Sequence, residues 1–586
     1  MILQALTRYY EDLLTQGQIS RPGWGHVKVS YGLLLDDDGA PIQLLHLQQE
    51  VSRGKKTVLV PQELSLPAPV KRSVDIAPNF LCDNSSYLLG QDNKGKPARS
   101  ERCFEASKAL HQRLLQGVDS PAARAILNFF EQWTPILAST CPALQQGWDD
   151  LMKGGNLTFW YKESPAVKDP AICAAWQNYY DQDSAGEAED ILCLVSGRHG
   201  PLARLHPSIK GVVGAQSSGA SLVSFNAPAF CSYEHEQGAN APTCEYAAFA
   251  YSTALNTLLA DRDHVCRVGD TTILFWAEGG NTAYQDCAAF SLFGDAGQDG
   301  PFYQEQDLLN ALHRLASGKP IDWDGTRLDP EVQFYILGLA PNAARLSVRF
   351  FWQNNFGNLA KNVAKHYEQL AIIRPSYKAD SVLSVWQIVS ETVRKSTPGT
   401  KRPDPSPRLA GDLLLSILNA TSYPATLLEG VALRIRAEQD INWAKASILK
   451  AWYQRNSHNE KLKEVMTMEL NEQSTYLPYV LGRLFSVLEA VQQSAIPNLT
   501  STIKSRYFNS ASATPSLVFP TLINLAQKHL NKLDPGLTTY YDKQITALCS
   551  RITDTLPTRM NLAEQSAFQI GYYHETQKRY TKKEEQ

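Results

Sequence analysis

The chain has 586 residues, 43% hydrophobic, 10% aromatic and 20% charged, with a formal charge of -3. This length predicts two to four domains of roughly 100–200 residues each, and the composition excludes a disordered, fibrous or low-complexity protein. No apolar run reaches the ~18 residues that span a bilayer, and the opening MILQALTRYYEDLL lacks the basic start and cleavage site of a signal peptide, so a cytoplasmic protein with no membrane partner is expected.

The small net charge averages over two opposed regions. Acids dominate from about residue 180 to 335, among them Asp181, Glu189, Asp190, Asp261 and Asp322, whereas bases dominate from Arg345 to Lys463. Such segregation points to a polyanion on one side of the molecule, or to a solvated, salt-bridged surface. The ten cysteines include no CxxC pair, which argues against a disulfide framework or a zinc module and for ordinary reduced thiols.

In chain order, Ile2, Leu3, Leu6, Tyr9, Tyr10 and Leu13 form one helical stripe that Gly17 ends. Val27 to Leu35 and Ile42 to Leu47 flank an Asp36-Asp37-Asp38-Gly39 turn, a hairpin signature. Lys71 to Tyr87 then combines cations (Lys71, Arg72) with amides (Asn79, Asn84). It reads either as a phosphate- and base-contacting loop or as an Asx-rich loop capping its own backbone.

Helices are expected at Phe104 to Leu115 and from Ser120, as cap, to Trp133, with Pro121 at the first helical position. Further strands are expected at Leu157 to Lys162, Ile191 to Ser196, Val212 to Val213, Ser221 to Phe225 and Thr271 to Trp276. His199 and His206, among Arg198, Arg204 and Lys210, are a second metal-site candidate, but with no carboxylate cluster nearby in sequence they read as a phosphate-contacting loop rather than a nuclease site.

The stretch from Gln216 to Leu259 is the most informative. A short strand is expected to stop at Asn226-Ala-Pro, opening a polar loop with Asn226, Tyr233, His235, Gln237 and Asn240 before a helix from Glu245 to Leu259. It is a display of amides without a catalyst, with Asn226, Gln237 and Asn240 as base-edge or wedge candidates. Asp261-Arg262-Asp263-His264 follows, either a polar turn or, with Asp261, Asp263 and His264 as ligands, a metal site. Near Phe334 to Asn358, alternation places Arg345 and Arg349 on one strand face, with Leu346, Val348 and Phe350 buried opposite, so the two arginines read either as phosphate-binding candidates or as simple surface charge.

Beyond about residue 340 the pattern is helical, with stripes at Leu409 to Leu418, Val480 to Val491 and Leu522 to Leu530. A basic, proline-rich arm interrupts it at 396–407, with Arg394, Lys395, Lys401 and Arg402 as phosphate-binding candidates. The expected fold is thus an α+β N-terminal body with mixed or antiparallel sheets, followed by an all-α C-terminal helical bundle. The expected divisions are 1–340, 341–465 and 466–586. No GxxxxGK[ST], GxSxG or HExxH motif is present, so neither a catalytic residue, a metal nor a cofactor is assigned.

The blocks ILQALTRYYEDL, KRSVDIAPNFLCDNSSYLLG, LHPSIKGVVGAQSSGASLVSFNAPAFCSYEHEQGANAPTCEYAAFAYSTALNTLL, FYILGLAPNAARLSVRF, YLPYVLGRLFSVLEAVQ, TIKSRYFNSASATPSLVFP and FQIGYYHETQKRY together resemble the large subunit of type I-C CRISPR surveillance complexes (Cascade), the Csd-type family. The resemblance covers nearly the whole chain.

It implies a non-catalytic subunit of an RNA-guided antiviral complex that reads a protospacer-adjacent motif on duplex DNA, assists strand separation and R-loop stabilisation, and recruits a helicase-nuclease. Implied partners are a CRISPR RNA-containing complex with backbone and 5′-handle-binding subunits, the target duplex and its displaced strand. The resemblance also implies a small subunit made from the C-terminal region by an internal start, for which Met466 and Met468 stand in the right place. Two other classes stay open: a metal-dependent nuclease using Asp261, Asp263 and His264, and a scaffold that senses no motif.

Overall fold

In the computed structural model, which describes residues 1–53, 56–70, 76–92, 95–184, 189–261, 265–294, 305–375, 383–395 and 403–580, the chain divides into two compact units. One comprises Leu3–Pro207 with Ser224–Thr253; the other comprises Ser208–Val223 with Ala254–Gln586.

The first unit opens with the expected helix, Ile2–Thr15, whose stripe buries Leu6, Tyr9, Tyr10 and Leu13. Strand Tyr31–Leu35 pairs antiparallel with Pro41–His46 and parallel with Leu157–Tyr161. The intervening turn forms because Asp36 Oδ1 accepts the N–H groups of Asp38 at 3.0 Å and Ala40 at 2.7 Å while Gly39 takes a φ of +86°. Cys82–Asp83 adds antiparallel to Leu157–Tyr161.

Helix Pro97–Leu115 and helix Pro121–Gln132 bring Phe104, Phe129 and Phe130 onto Leu33 and Phe159 in one apolar core. Each such buried ring contributes roughly 1.5–3 kcal/mol by leaving water. Helix Pro121–Gln132 starts where its cap predicts, with Ser120 Oγ accepting the Ala123 N–H at 3.2 Å. His111 lies inside this core, between the Leu81 N–H (3.0 Å) and the Ser107 carbonyl (2.8 Å), and burial lowers its pKa to about 4. It is a neutral structural histidine.

The second unit is built on a four-stranded antiparallel sheet in the order Val265–Val268, Thr271–Ala277, Gln333–Asn342, Arg345–Asn355. All seven residues of Thr271–Ala277 are buried, as expected of a strand covered on both faces. Pairing of the last two strands slips between Gly338 and Leu339, which face Phe350 and Val348, so Arg349 is the extra residue of a β-bulge. The expected alternation therefore fails at that point: Leu346 and Phe350 are buried, but Val348 is 41% exposed.

Two expected strands also fail. Val212–Val213 and Ser221–Phe225 form no ladder; the backbone makes only single bridges, Ile209 to Ala220 and Ser221 to Arg345. Gly211, Gly214 and Gly219 take φ values of +94°, +81° and +107°, and these left-handed turns break the extended run. Ile191 to Ser196 is likewise shorter than expected, a strand over Asp190–Leu192 only.

The predicted helical stripes are realised in Pro407–Leu418, Leu477–Ala495 and Pro515–Leu530. Leu477–Ala495 lies against Leu562–Tyr580 at a backbone-to-backbone crossing. A Cβ on Gly482 would stand 1.9 Å from the Phe568 carbonyl oxygen, and one on Gly571 would stand 2.2 Å from that of Tyr479. Beside the crossing, Arg483 Nε donates to Glu575 Oε2 at 2.8 Å with both side chains buried. One apolar interior runs from Ile273 and Phe275 of the sheet through Leu413 and Ile448 to Leu484 and Phe568 of the bundle.

Candidate nucleic-acid interface

From Ser224 the polar loop belongs to the first unit, and its shape follows from where its polar groups are used. Asn240 is the brace. Its Oδ1 accepts the Ser232 N–H at 2.8 Å, and its Nδ2 donates to the carbonyls of His235 at 3.0 Å and Gln237 at 3.1 Å.

Gly238 pins the same loop to the chain at Ala203-Arg204. Its N–H donates to the Arg204 carbonyl at 3.0 Å, and a Cβ would stand 2.1 Å from the Ala203 oxygen. The loop returns through Leu194 N–H to Pro242 O and Ala203 N–H to Thr243 O, both 2.9 Å, into helix Glu245–Ala260.

Between these anchors Tyr233, Glu234 and Gln237 adopt φ values of +52°, +63° and +46°, a conformation that surrounding contacts must hold in place. The Tyr233 side chain is 94% exposed, and Gln237 and Asn226 are exposed as well. The loop thus presents Gln237 and Tyr233 outward and uses Asn240 to shape itself. Glu234 and Glu236 flank them, so phosphate attraction does not originate here.

The second amide-rich loop is organised by Asp83, a buried carboxylate absent from the sequence-derived candidates. Its Oδ2 accepts the Asn79 N–H at 2.9 Å and its Oδ1 the Asn84 N–H at 2.8 Å. Asn79 Oδ1 in turn accepts the Val70 N–H at 2.9 Å, and Asn84 Oδ1 caps Ser86 at 3.0 Å. Both asparagine oxygens therefore serve local backbone, the Asx-loop arrangement. Lys71 and Arg72 lie outside the described residues.

The histidines near Arg198 and Arg204 are also engaged within the protein. His206 Nδ1 meets the Tyr251 hydroxyl at 2.6 Å and burial lowers its pKa; His199 Nδ1 lies 3.3 Å from Asp190 Oδ2.

In the second unit, Lys210 is exposed, and its backbone N–H donates to Asn256 Oδ1 at 2.8 Å. Arg345 is partly buried where Leu346 N–H meets the Ser221 carbonyl at 3.0 Å. Arg349, on the bulge, is ion-paired with Asp270 at 2.8 Å, which offsets the charge expected to face a phosphate. Lys395 lies 4.0 Å from Glu438, and Arg394 beside it is exposed. Lys401 and Arg402 lie outside the described residues.

Of the two internal-start candidates, Met466 is fully buried and Met468 is 55% exposed. Asp261 directly follows helix Glu245–Ala260, and its supposed co-ligands Asp263 and His264 lie outside the described residues. Among the described residues no three His, Cys, Asp or Glu side chains are placed to hold a metal ion, and no helix is long and apolar enough to cross a membrane.

A family model described as CRISPR-associated protein (Cas_Csd1) matches residues 6–580. No curated protein matches the chain.

Proposed function

The chain belongs to the CRISPR-associated protein (Cas_Csd1) family, and from that membership we propose that it is the large, non-catalytic subunit of a cytoplasmic type I-C RNA-guided complex. In this reading the first unit senses a short motif on target duplex DNA, while pairing with the guide RNA reads the remaining sequence. The subunit assists strand separation and R-loop stabilisation, and offers a surface to a helicase-nuclease. Backbone and 5′-handle-binding subunits and a small C-terminal subunit complete the assembly.

The observation that carries the reading, beyond the family match, is the braced loop. Asn240 and Gly238 hold Gln237 outward on a left-handed backbone, so an amide able to donate to and accept from a base edge is already positioned before binding. Because the loop itself is acidic, affinity comes from cations elsewhere: Arg345, Lys210 and the Arg394 to Arg408 segment.

The test is binding of the assembled complex to duplexes with and without the motif. Gln237→Ala weakens motif-bearing targets by ~1–3 kcal/mol and leaves motif-free DNA unchanged. Equal losses on both would remove Gln237 from the readers. Neutralising Lys395, Lys401 and Arg402 flattens the salt dependence of binding if the arm holds a displaced strand.

A further inference from the structure

Two cysteines 51 residues apart meet where the braced loop joins its helix. Cys193 follows strand Asp190–Leu192, and Cys244 immediately precedes helix Glu245–Ala260. Both are free thiols buried in a small apolar cluster with Ala247.

Cys193 Sγ accepts the backbone N–H of Cys244 at 3.2 Å and that of Ser196 at 3.5 Å, and the two cysteines share one buried cluster. Ser196 Oγ lies 3.9 Å from Cys244 Sγ. N–H groups converging on one sulfur favour its thiolate, the form that attacks electrophiles. A cleft of about 1180 Å³ in the first unit is lined by Ser196 and Cys244, together with Arg8, Tyr180, Arg198 and Tyr246, and opens on the Cys244 side of the pair, with Cys193 fully buried behind it.

We propose that Cys193 and Cys244 form an oxidisable dithiol, a modification site at which hydrogen peroxide converts two thiols into a disulfide across the base of the loop. The Cys193 thiolate attacks one peroxide oxygen; the O–O bond breaks, hydroxide leaves and takes up a proton as water, and Cys193 becomes a sulfenic acid. Cys244, losing its proton, then attacks the Cys193 sulfur; the S–S bond forms, the S–O bond breaks and a second water leaves. The two sulfurs together lose two electrons, which reduce the peroxide, and an external dithiol reverses the change.

The surroundings distinguish this pair from the other buried thiols. Although burial pushes the Cys193 thiol up, its hydrogen bonds outweigh that effect and bring it down to about 7, whereas burial is the dominant cause that pushes Cys82, Cys266 and Cys287 up to about 12. The site is independent of the DNA-binding reading, since it rests on contacts within the protein.

The test treats the full-length reduced chain with hydrogen peroxide at neutral pH, quenches with an alkylating reagent, and maps peptides by mass. A Cys193–Cys244 cross-linked peptide, lighter by two hydrogens, forms at least ~10-fold faster than any product at Cys82, Cys266 or Cys287. In Cys244→Ser, dimedone traps a sulfenic acid at Cys193; in Cys193→Ser the fast product is absent. A cross-link between other cysteines forming first, or an unreactive Cys193 in the folded wild-type chain, overturns the proposal without depending on whether either variant folds.

Discussion

The braced loop of the first unit and the terminal helix pair of the second use polar groups in opposite ways. In the loop, Asn240 satisfies three backbone groups and leaves Tyr233 and Gln237 in solvent. In the helix pair, Arg483 and Glu575 satisfy each other inside a core so close that two glycines carry the crossing. The loop holds a shape with little burial, which suits recognition. The helix pair obtains stability from burial, which suits a scaffold.

The largest effect that separates the two falls on the helix pair. Glu575→Ala leaves the Arg483 guanidinium buried without its counter-charge and lowers stability by ~3–5 kcal/mol, measured by chemical denaturation. If the loss is only that of an exposed pair, below ~1 kcal/mol, the helix pair is not the rigid member of the comparison.

Lys450 gives a slightly smaller effect that depends on pH. It is buried against the carbonyls of Glu368 and Gln369 at 3.3 and 2.9 Å, and burial lowers its pKa to about 8. A lysine whose folded pKa is depressed penalises the folded state wherever the ammonium persists. Stability of the protein relative to Lys450→Met therefore rises by up to about 3 kcal/mol between pH ~8 and ~10.5, and is flat below that window. A difference that does not change across it would mean that water reaches the ammonium.

Gly482→Ala comes next, since its Cβ would meet the Phe568 carbonyl and force the helices apart, at a cost of ~1–3 kcal/mol in denaturation. Asn240→Ala is the smallest in stability, about 1 kcal/mol or less. It nevertheless increases proteolysis within 226–243 and reduces motif discrimination while leaving the helical unfolding transition in place. A shift of that transition equal to the one caused by Gly482→Ala would dissolve the contrast between loop and helix pair.

Legibility in the sequence followed the range of the interaction. The cap at Ser120, the Asp36 to Gly39 turn and the stripes at Leu409 to Leu418 and Val480 to Val491 depend on neighbours within a few residues, and each appears in the structure. The loop from Asn226 to Asn240 was legible as a polar element, but the distribution of roles within it was not. Asn240 and Gln237 are both amides in the sequence; only the fold turns one inward as a brace and the other outward.

What the chain determined by itself is therefore an α+β body followed by helices, because apolar periodicity and capping chemistry act locally and every segment carries its own pattern. Only the tertiary structure decided that Arg349 sits on a bulge beside Asp270, that Asp83 organises the asparagine loop, that Gly482 meets the Phe568 backbone and Gly571 that of Tyr479, and that Cys193 reaches Cys244. Except at Asp83, whose backbone partners are sequence neighbours, each of these needs a partner tens of residues away. Such partners are chosen by the burial of whole elements, and no local pattern records which side chains that burial brings together.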